Sequence, residues 1–285
     1  MTTYAVTGAT GGLGHLVVEE LLSRGVPASD VVAIVRTPSK AADLAERGVQ
    51  VREGDYARPE TLPAALAGVD RLLLVSASEP GTRVALHSAV IDAAKAAGVG
   101  RIAYTGILKA GNTSNPLAGE HEGTEGALRA SGLPISILRN GWYYENYTQQ
   151  LGQYLERGEI AGATANGKIS GAARADYAVA AAAALLTDEG DEVVHELGGP
   201  TFSITDLAAT ISDVTGTKVA YRDLSVEEFQ AELQQYGLDA GTAGFVAGLD
   251  ASIAAGDLET DSDDLARLLG RPATPLADAI RAAHS

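Results

Sequence analysis

Gly8, Gly11 and Gly14 fall in the run Thr7–Gly14 (TGATGGLG), directly after the apolar opening Tyr4–Val6 and directly before the helical pattern His15–Gly25. A strand that feeds a glycine-rich turn and then a helix presents backbone N–H groups and a helix N-terminus to a pyrophosphate. Spacing and context together describe a dinucleotide grip. Gly8 lets the turn close, Gly11 lets backbone approach phosphate oxygens, and Gly14 lets the helix lie on the strand with no Cβ between them. The alternative is an ordinary tight turn, which does not require strand, helix and N-terminal position to agree.

The second strand, Val31–Val35, carries no carboxylate at its tip, where an NAD-binding chain usually holds both ribose hydroxyls with Asp or Glu. It ends in Arg36, with Lys40 one helical turn later. A carboxylate would repel a 2′-phosphate, whereas a guanidinium can bind it bidentately, so the reading is NADPH rather than NADH. The alternative is that both cations merely solvate the start of a helix.

Later strand tips add polar groups. Asp55 and Tyr56 follow the third strand, where they would meet adenine, and Ser76, Ala77 and Ser78 follow the fourth, where small side chains let a cofactor lie close. Tyr104, Thr105 and Gly106 end the fifth. The sixth opens into Arg139–Tyr147, which holds the single Trp and three of the ten Tyr. Trp142 and Tyr143 in that loop suit a nicotinamide and a flat substrate, although a merely packed aromatic loop is the alternative.

No Tyr has Lys four residues on, so the proton-transfer pair of a short-chain alcohol dehydrogenase is missing. On the helix predicted for 118 to 131, His121, Glu125 and Leu128 share one face; with Leu128 inward, His121 and Glu125 reach the edge of the cleft. A lone His is also a common packing residue. Asn140, Tyr104 and His121 are the groups available to hydrogen-bond a developing oxyanion.

These groups need a scaffold. Apolar strands near 31–35, 50–53, 72–76, 102–105 and 135–138 alternate with helices near 39–47, 60–67, 82–97 and 118–131, the pattern of a parallel sheet covered on both faces. The expected class is α/β, a Rossmann-type doubly wound sheet with a smaller C-terminal α/β lid. Residues 1–147 form the dinucleotide-binding part, with parts of 171–200 returning to it, and 148–285 are mainly the lid. Short strands near 193–197 and 218–221 break an otherwise helical second half.

Composition narrows the class. The chain has 285 residues, 46% of them hydrophobic, enough for a substantial core. Its 37 acidic against 21 basic residues give a charge of −16, which argues against nucleic acid or an anionic membrane as partner. With no Cys there is neither disulfide nor thiolate chemistry. A cytoplasmic protein is expected, since no signal-peptide pattern or long apolar span is present. Gly162–Lys168 spells GxxxxGK, but Ile169 replaces the Mg²⁺-holding hydroxyl and no apolar strand precedes it. The acidic run 257–264 lacks the glycine and glutamate of a calcium loop and suits a helix start near Ser262, and the five His give no metal-ligand spacing, so no metal is expected.

Together, Thr7–His15, Val32–Lys40, Asp92–Val99, Leu138–Tyr147 and Ala173–Ala178 resemble the bacterial type 2 NADPH:quinone oxidoreductases, members of the NmrA-like atypical short-chain dehydrogenases/reductases. The resemblance spans the chain and is most specific at 139–147. It implies a Rossmann domain, a small C-terminal domain, and NADPH reducing a quinone without flavin or metal. By position, it implies cofactor contacts at Gly8, Ala9, Thr10, Gly11, Gly12, Leu13, Arg36, Ser76, Ala77, Ser78, Asn140, Gly141, Trp142, Tyr143, Tyr144, Glu145 and Arg174. His121 stands where the related isoflavone reductases carry Lys. The rival readings are a non-catalytic redox-sensing regulator of the NmrA kind and a reductase of another carbonyl or enone. A homo-oligomer is compatible with either.

Overall fold

A computed structural model describes residues 1–77, 81–188 and 190–284. Strands and helices first alternate: β1 (Tyr4–Thr7), α1 (Gly12–Ser23), β2 (Val31–Val35), α2 (Ala42–Glu46), β3 (Gln50–Glu53), α3 (Leu62–Ala65), β4 (Arg71–Leu74), α4 (Arg83–Ala97), β5 (Arg101–Ile107), α5 (Ala118–Ser131) and β6 (Ile135–Asn140). Next come β7 (Trp142–Tyr143), α6 (Glu145–Thr148), α7 (Leu151–Arg157), β8 (Glu159–Gly162), β9 (Ile169–Ala172), α8 (Arg174–Leu186) and β10 (Glu192–Leu197). The chain closes with β11 (Thr201–Phe202), α9 (Ile204–Thr215), β12 (Ala220–Asp223), α10 (Val226–Gln235), α11 (Ala240–Ala254), α12 (Asp264–Leu269) and α13 (Leu276–His284).

Seven strands make a parallel sheet in the order β10-β6-β5-β4-β1-β2-β3. The five residues of β2 are all buried, as expected for a strand covered on both faces. The chain order reverses between β1 and β4, so the crevice for a ligand opens at their carboxyl ends. One core lies under α1 and α8. There the small side chains of Ala180–Ala182 and Ala184 bring α8 close to the sheet and α1, with Val17, Val18 and Leu21 facing them. The other core lies under α3, α4 and α5, around Leu72, Leu74, Ile91, Ile102 and Tyr104.

The second half is more interleaved than its rhythm predicts. The strand expected near 193–197 is β10, an edge of the main sheet in register with β6 (Val194 opposite Ile137). Leu265 of α12 and Ala273 also join the core under α1 and α8, so this core draws on residues well beyond 200. A third core gathers Tyr144, Leu151, Ile160, Ile169, Phe202, Leu207, Ile253 and Ile280 around two small sheets, β11-β9-β7 and β12-β8. The acidic run feeds α12, whose N-cap is Asp263, and Ser262 Oγ accepts from Asp264 N at 3.1 Å. Among the described residues no helix is long and apolar enough to cross a membrane, and no group of His, Cys, Asp and Glu could hold a metal ion.

The C-terminal segment is tied down by a carboxylate on α8. Fully buried Asp176 accepts from Arg271 Nη2 and Thr274 N, each at 2.7 Å, and from Thr274 Oγ1 at 3.2 Å. Hydrogen bonds to a charged group contribute about 1.5 to 3 kcal/mol each, and the partners here are partly solvated. Asp176→Ala should therefore lower the unfolding free energy by about 2 to 3 kcal/mol, read by urea denaturation; a change within error would show that 271–274 stays docked by apolar packing alone.

Candidate cofactor and acceptor site

The glycine turn leaves β1 with Gly8 at φ +61°, a conformation that only glycine adopts without strain, and Gly11 N donates to Gly8 O at 2.8 Å. A Cβ on Gly14 would lie 2.4 Å from Gly8 O, so the first turn of α1 can touch the β1 turn only because residue 14 has none. Gly11 and Gly12 are exposed, no side chain caps α1, and its first turn carries no acidic residue. The helix thus presents its N-terminal N–H groups and positive dipole end to the crevice. Ala9 and Leu13 contribute backbone only, since their side chains are buried in the core.

Past β2, Arg36 and Lys40 line a cavity of about 330 Å³ with Thr10, Thr37 and Asp55. On the same lining, Asp55 Oδ1 accepts from Ala57 N at 3.0 Å and its Oδ2 from Arg58 Nε at 3.3 Å. Tyr56 departs from its expected place against adenine. Its hydroxyl donates to Thr7 Oγ1 and lies 3.0 Å from Val75 O, and its ring packs on the core beneath the sheet. It ties the ends of β1, β3 and β4 together.

On the other side of the crevice, the segment after β4 is held by α4 and α5. Ser76 N donates to Thr105 Oγ1 at 2.9 Å and Ala77 N to His87 Nε2 at 2.9 Å, while Arg83 Nε donates to Ala77 O at 2.8 Å. Ser78 lies outside the described residues. Glu120 Oε1 accepts from Gly81 N at 2.8 Å and Arg83 N at 3.2 Å, and its Oε2 lies 3.4 Å from Arg83 Nη1, an ion pair without a hydrogen bond. Because His87 Nε2 accepts, its Nδ1 carries the proton donated to Thr124 Oγ1 (2.9 Å), and Thr124 donates onward to Glu120 O (2.9 Å). Burial, helped by Arg83, pushes the His87 pKa down to about 4 and keeps the ring neutral. Nothing in the sequence marks His87 or Arg83 beyond their i, i+4 spacing on α4; their partners arrive from α5.

Tyr104 and His121 meet beside this network, with Tyr104 Oη 2.7 Å from His121 Nδ1. Tyr104 is fully buried and His121 only 5% exposed, so His121 lies deeper than the cleft edge expected for it. Glu125 does not reach the cleft at all. It is 1% exposed and bound at both oxygens by Arg139, each contact 2.8 Å, because an isolated buried carboxylate would be too costly.

The loop after β6 divides in two. Asn140 is 4% exposed; its Nδ2 donates to Tyr143 Oη at 3.2 Å, and its Oδ1 is enclosed without a partner. Trp142 and Tyr143 form β7, paired with Gly171 and Ala172 of β9, and both stay partly exposed. The other expected contacts of this loop serve packing. A Cβ on Gly141 would lie 2.2 Å from Ser170 O, Tyr144 is 1% exposed and stacks edge-on against Phe202 at 5.7 Å, and both oxygens of Glu145 accept from Arg174 N at 3.0 Å, capping α8. Arg174 itself reaches the grip. Its guanidinium lies 5.3 Å from the Tyr143 ring centre, and its Nη1 would stand 3.0 Å from a Cβ on Gly12. Glycine turn, Arg36, Lys40 and Arg174 make one cationic line across the carboxyl ends of the strands, which fits a dinucleotide with an extra phosphate.

Residues 8–186 match the family described as NAD(P)H-binding. The chain is 47% identical to quinone oxidoreductase 2 of Escherichia coli, over 97% of this chain and 96% of that protein. The crystal structure of an NADPH-dependent quinone oxidoreductase from Escherichia coli complexed with NADPH superimposes with a TM-score of 0.94 at 45% identity, covering 99% of this chain and 100% of that one. The triphenylmethane reductase of a Citrobacter species, solved with NADP(H), gives a TM-score of 0.91 at 38% identity over 99% of this chain and 100% of that one.

Two glycines separate binding from folding. Gly14→Ala should depress both melting temperature and dinucleotide affinity, because its Cβ strikes backbone. Gly11→Ala meets only Gly8 O, at 3.2 Å, and should leave the melting temperature within a few degrees while weakening dinucleotide binding at least about tenfold. Calorimetric titration with thermal unfolding reads both; unchanged affinity in a folded Gly11→Ala would refute the grip.

Proposed function

The chain belongs to the NAD(P)H-binding family and, within it, to the NmrA-like type 2 quinone oxidoreductases, and from that premise we propose its reaction: hydride transfer from NADPH to a quinone, giving the hydroquinone. The observation that carries the cofactor choice is the cavity at the tip of β2, lined by Arg36 and Lys40 with Thr10, Thr37 and Asp55, two cations against one carboxylate. Bound NADPH supplies the hydride; the protein supplies position and field. Gly11 and Gly12, at the N-terminus of α1, receive the pyrophosphate with Arg174 above them, and Arg36 with Lys40 takes the 2′-phosphate. The adenosine half then lies on the β1-β2-β3 side, so the nicotinamide half falls on the β4-β5 side, at Ser76 and Ala77.

Trp142 and Tyr143 are the acceptor platform in this reading. Tyr143 stands beside Arg174 and Asn140, and Trp142 packs at the edge of the third core; in this reading their rings hold a flat quinone at attack distance, an entropic contribution that does not require strong acid catalysis. The net charge of −16 opposes binding to nucleic acid, and the reaction needs none. The enzyme reading is favoured over a silent sensor by the 47% identity to the Escherichia coli quinone oxidoreductase.

Arg36→Ala should weaken NADPH binding by about tenfold to a hundredfold while barely changing NADH, because the lost charged hydrogen bonds reach only the 2′-phosphate. Titration of both cofactors checks this, and equal losses would contradict the assignment. Trp142→Ala and Tyr143→Ala should lower quinone turnover by about tenfold or more with most NADPH affinity retained. Steady-state kinetics with a benzoquinone panel reads that effect; a folded, NADPH-binding wild type that ignores every quinone would instead support the sensor.

A further inference from the structure

Quinone reduction places negative charge on oxygen before any proton arrives. The quinone gains the hydride and its electron pair, becoming the hydroquinone monoanion, and water then supplies the proton that completes the hydroquinone. A hydrogen-bond donor at that oxygen lowers the barrier even if it keeps its own proton. The aromatic platform offers stacking, and one of the two Asn140 Nδ2 hydrogens is engaged by Tyr143 Oη. A further polar pair is buried on β5 and α5.

We propose that His121 donates its Nε2–H to the developing oxyanion and that Tyr104 is a positioning residue that holds this imidazole in the required tautomer. The inference rests on the hydride-to-quinone reading above. Its geometric basis is a buried pair between the middle of β5, level with the last residue of β4, and α5: Tyr104 Oη lies 2.7 Å from His121 Nδ1. A phenol that donates to Nδ1 leaves the proton of a neutral ring on Nε2. Among the described residues Nε2 makes no hydrogen bond, and it is not an enclosed atom, so it is the ring nitrogen left open to a ligand. His87 is spoken for at both nitrogens, by Ala77 and Thr124, which leaves His121 as the histidine of this cluster with a donor to offer.

Charge state agrees with that role. Burial, with Arg83 and His87 adding to it, pushes the His121 pKa down to about 3, so the ring is neutral throughout the working pH range. Burial also raises the Tyr104 pKa, which keeps the phenol protonated and able to donate. His121 therefore acts as a fixed dipole and not as a titrating acid. Between pH 5 and 8 turnover should show no inflection that disappears when His121 is replaced.

The test uses three variants of the full chain and a series of benzoquinones running from methyl- to chloro-substituted. His121→Phe keeps a ring without the N–H and should lower kcat about a hundredfold with unchanged NADPH affinity. His121→Gln restores a donor and should recover much of that loss, and Tyr104→Phe should cost about tenfold, again in kcat. The His121→Phe loss should shrink as the quinone becomes electron-poor, since a less basic oxyanion gains less from a donor. A loss uniform across the series, a Gln variant no better than Phe, or a parallel fall in NADPH affinity would overturn the proposal and leave His121 as a packing residue. A wild type inactive with every quinone would sink the parent reading instead, before any variant is compared.

Discussion

The approach of α1 to the turn after β1 is the contact on which the rest depends. Gly8 turns left-handed, Gly14 has no Cβ to collide with it, and the N-terminus of α1 is thereby brought to the carboxyl edge of the sheet. A single methyl group at residue 14 would lie 2.4 Å from a carbonyl oxygen and push the helix away. In the proposed reading, the cationic line through Arg36 and Arg174 serves a dinucleotide only together with that helix end.

The protein is strongly acidic, yet its ligand carries several negative charges. Net charge acts at long range and is screened beyond about 8 Å at physiological salt, whereas the cations at the site act at contact distance. Local placement therefore outweighs the total. Arg36 and Lys40 come from the segment after β2, while Arg174 comes from α8 and is aimed by the Glu145 cap at its own backbone N–H.

The β4-β5 side follows a different rule. Its polar groups are buried, and buried polar groups must be paired, so Ala77, His87, Thr124, Glu120 and Arg83 form one connected set. Pairing fixes a tautomer: with Nε2 accepting from Ala77 N, His87 carries its proton on Nδ1. The same rule explains why Glu125, on the same helical face as His121, serves Arg139: a carboxylate at 1% exposure requires a cation.

The glycine turn, the parallel sheet and the basic tip of β2 were legible in the sequence because each is a local consequence of residue type: no Cβ, a continuous apolar run, a cation where a carboxylate usually stands. Trp142 and Tyr143 were legible as an aromatic cluster at a strand end. Which members of that cluster face the crevice was not, since Gly141, Tyr144 and Glu145 are claimed by Ser170, Phe202 and Arg174, partners far along the chain. Tyr56 and Glu125 were misplaced for the same reason, and the meeting of Arg174 with Gly12 and of Tyr104 with His121 has no sequence signal at all. Periodicity tells which face of an element is apolar; only the packed structure decides which polar side chain on that face finds a partner and which is left to meet a ligand.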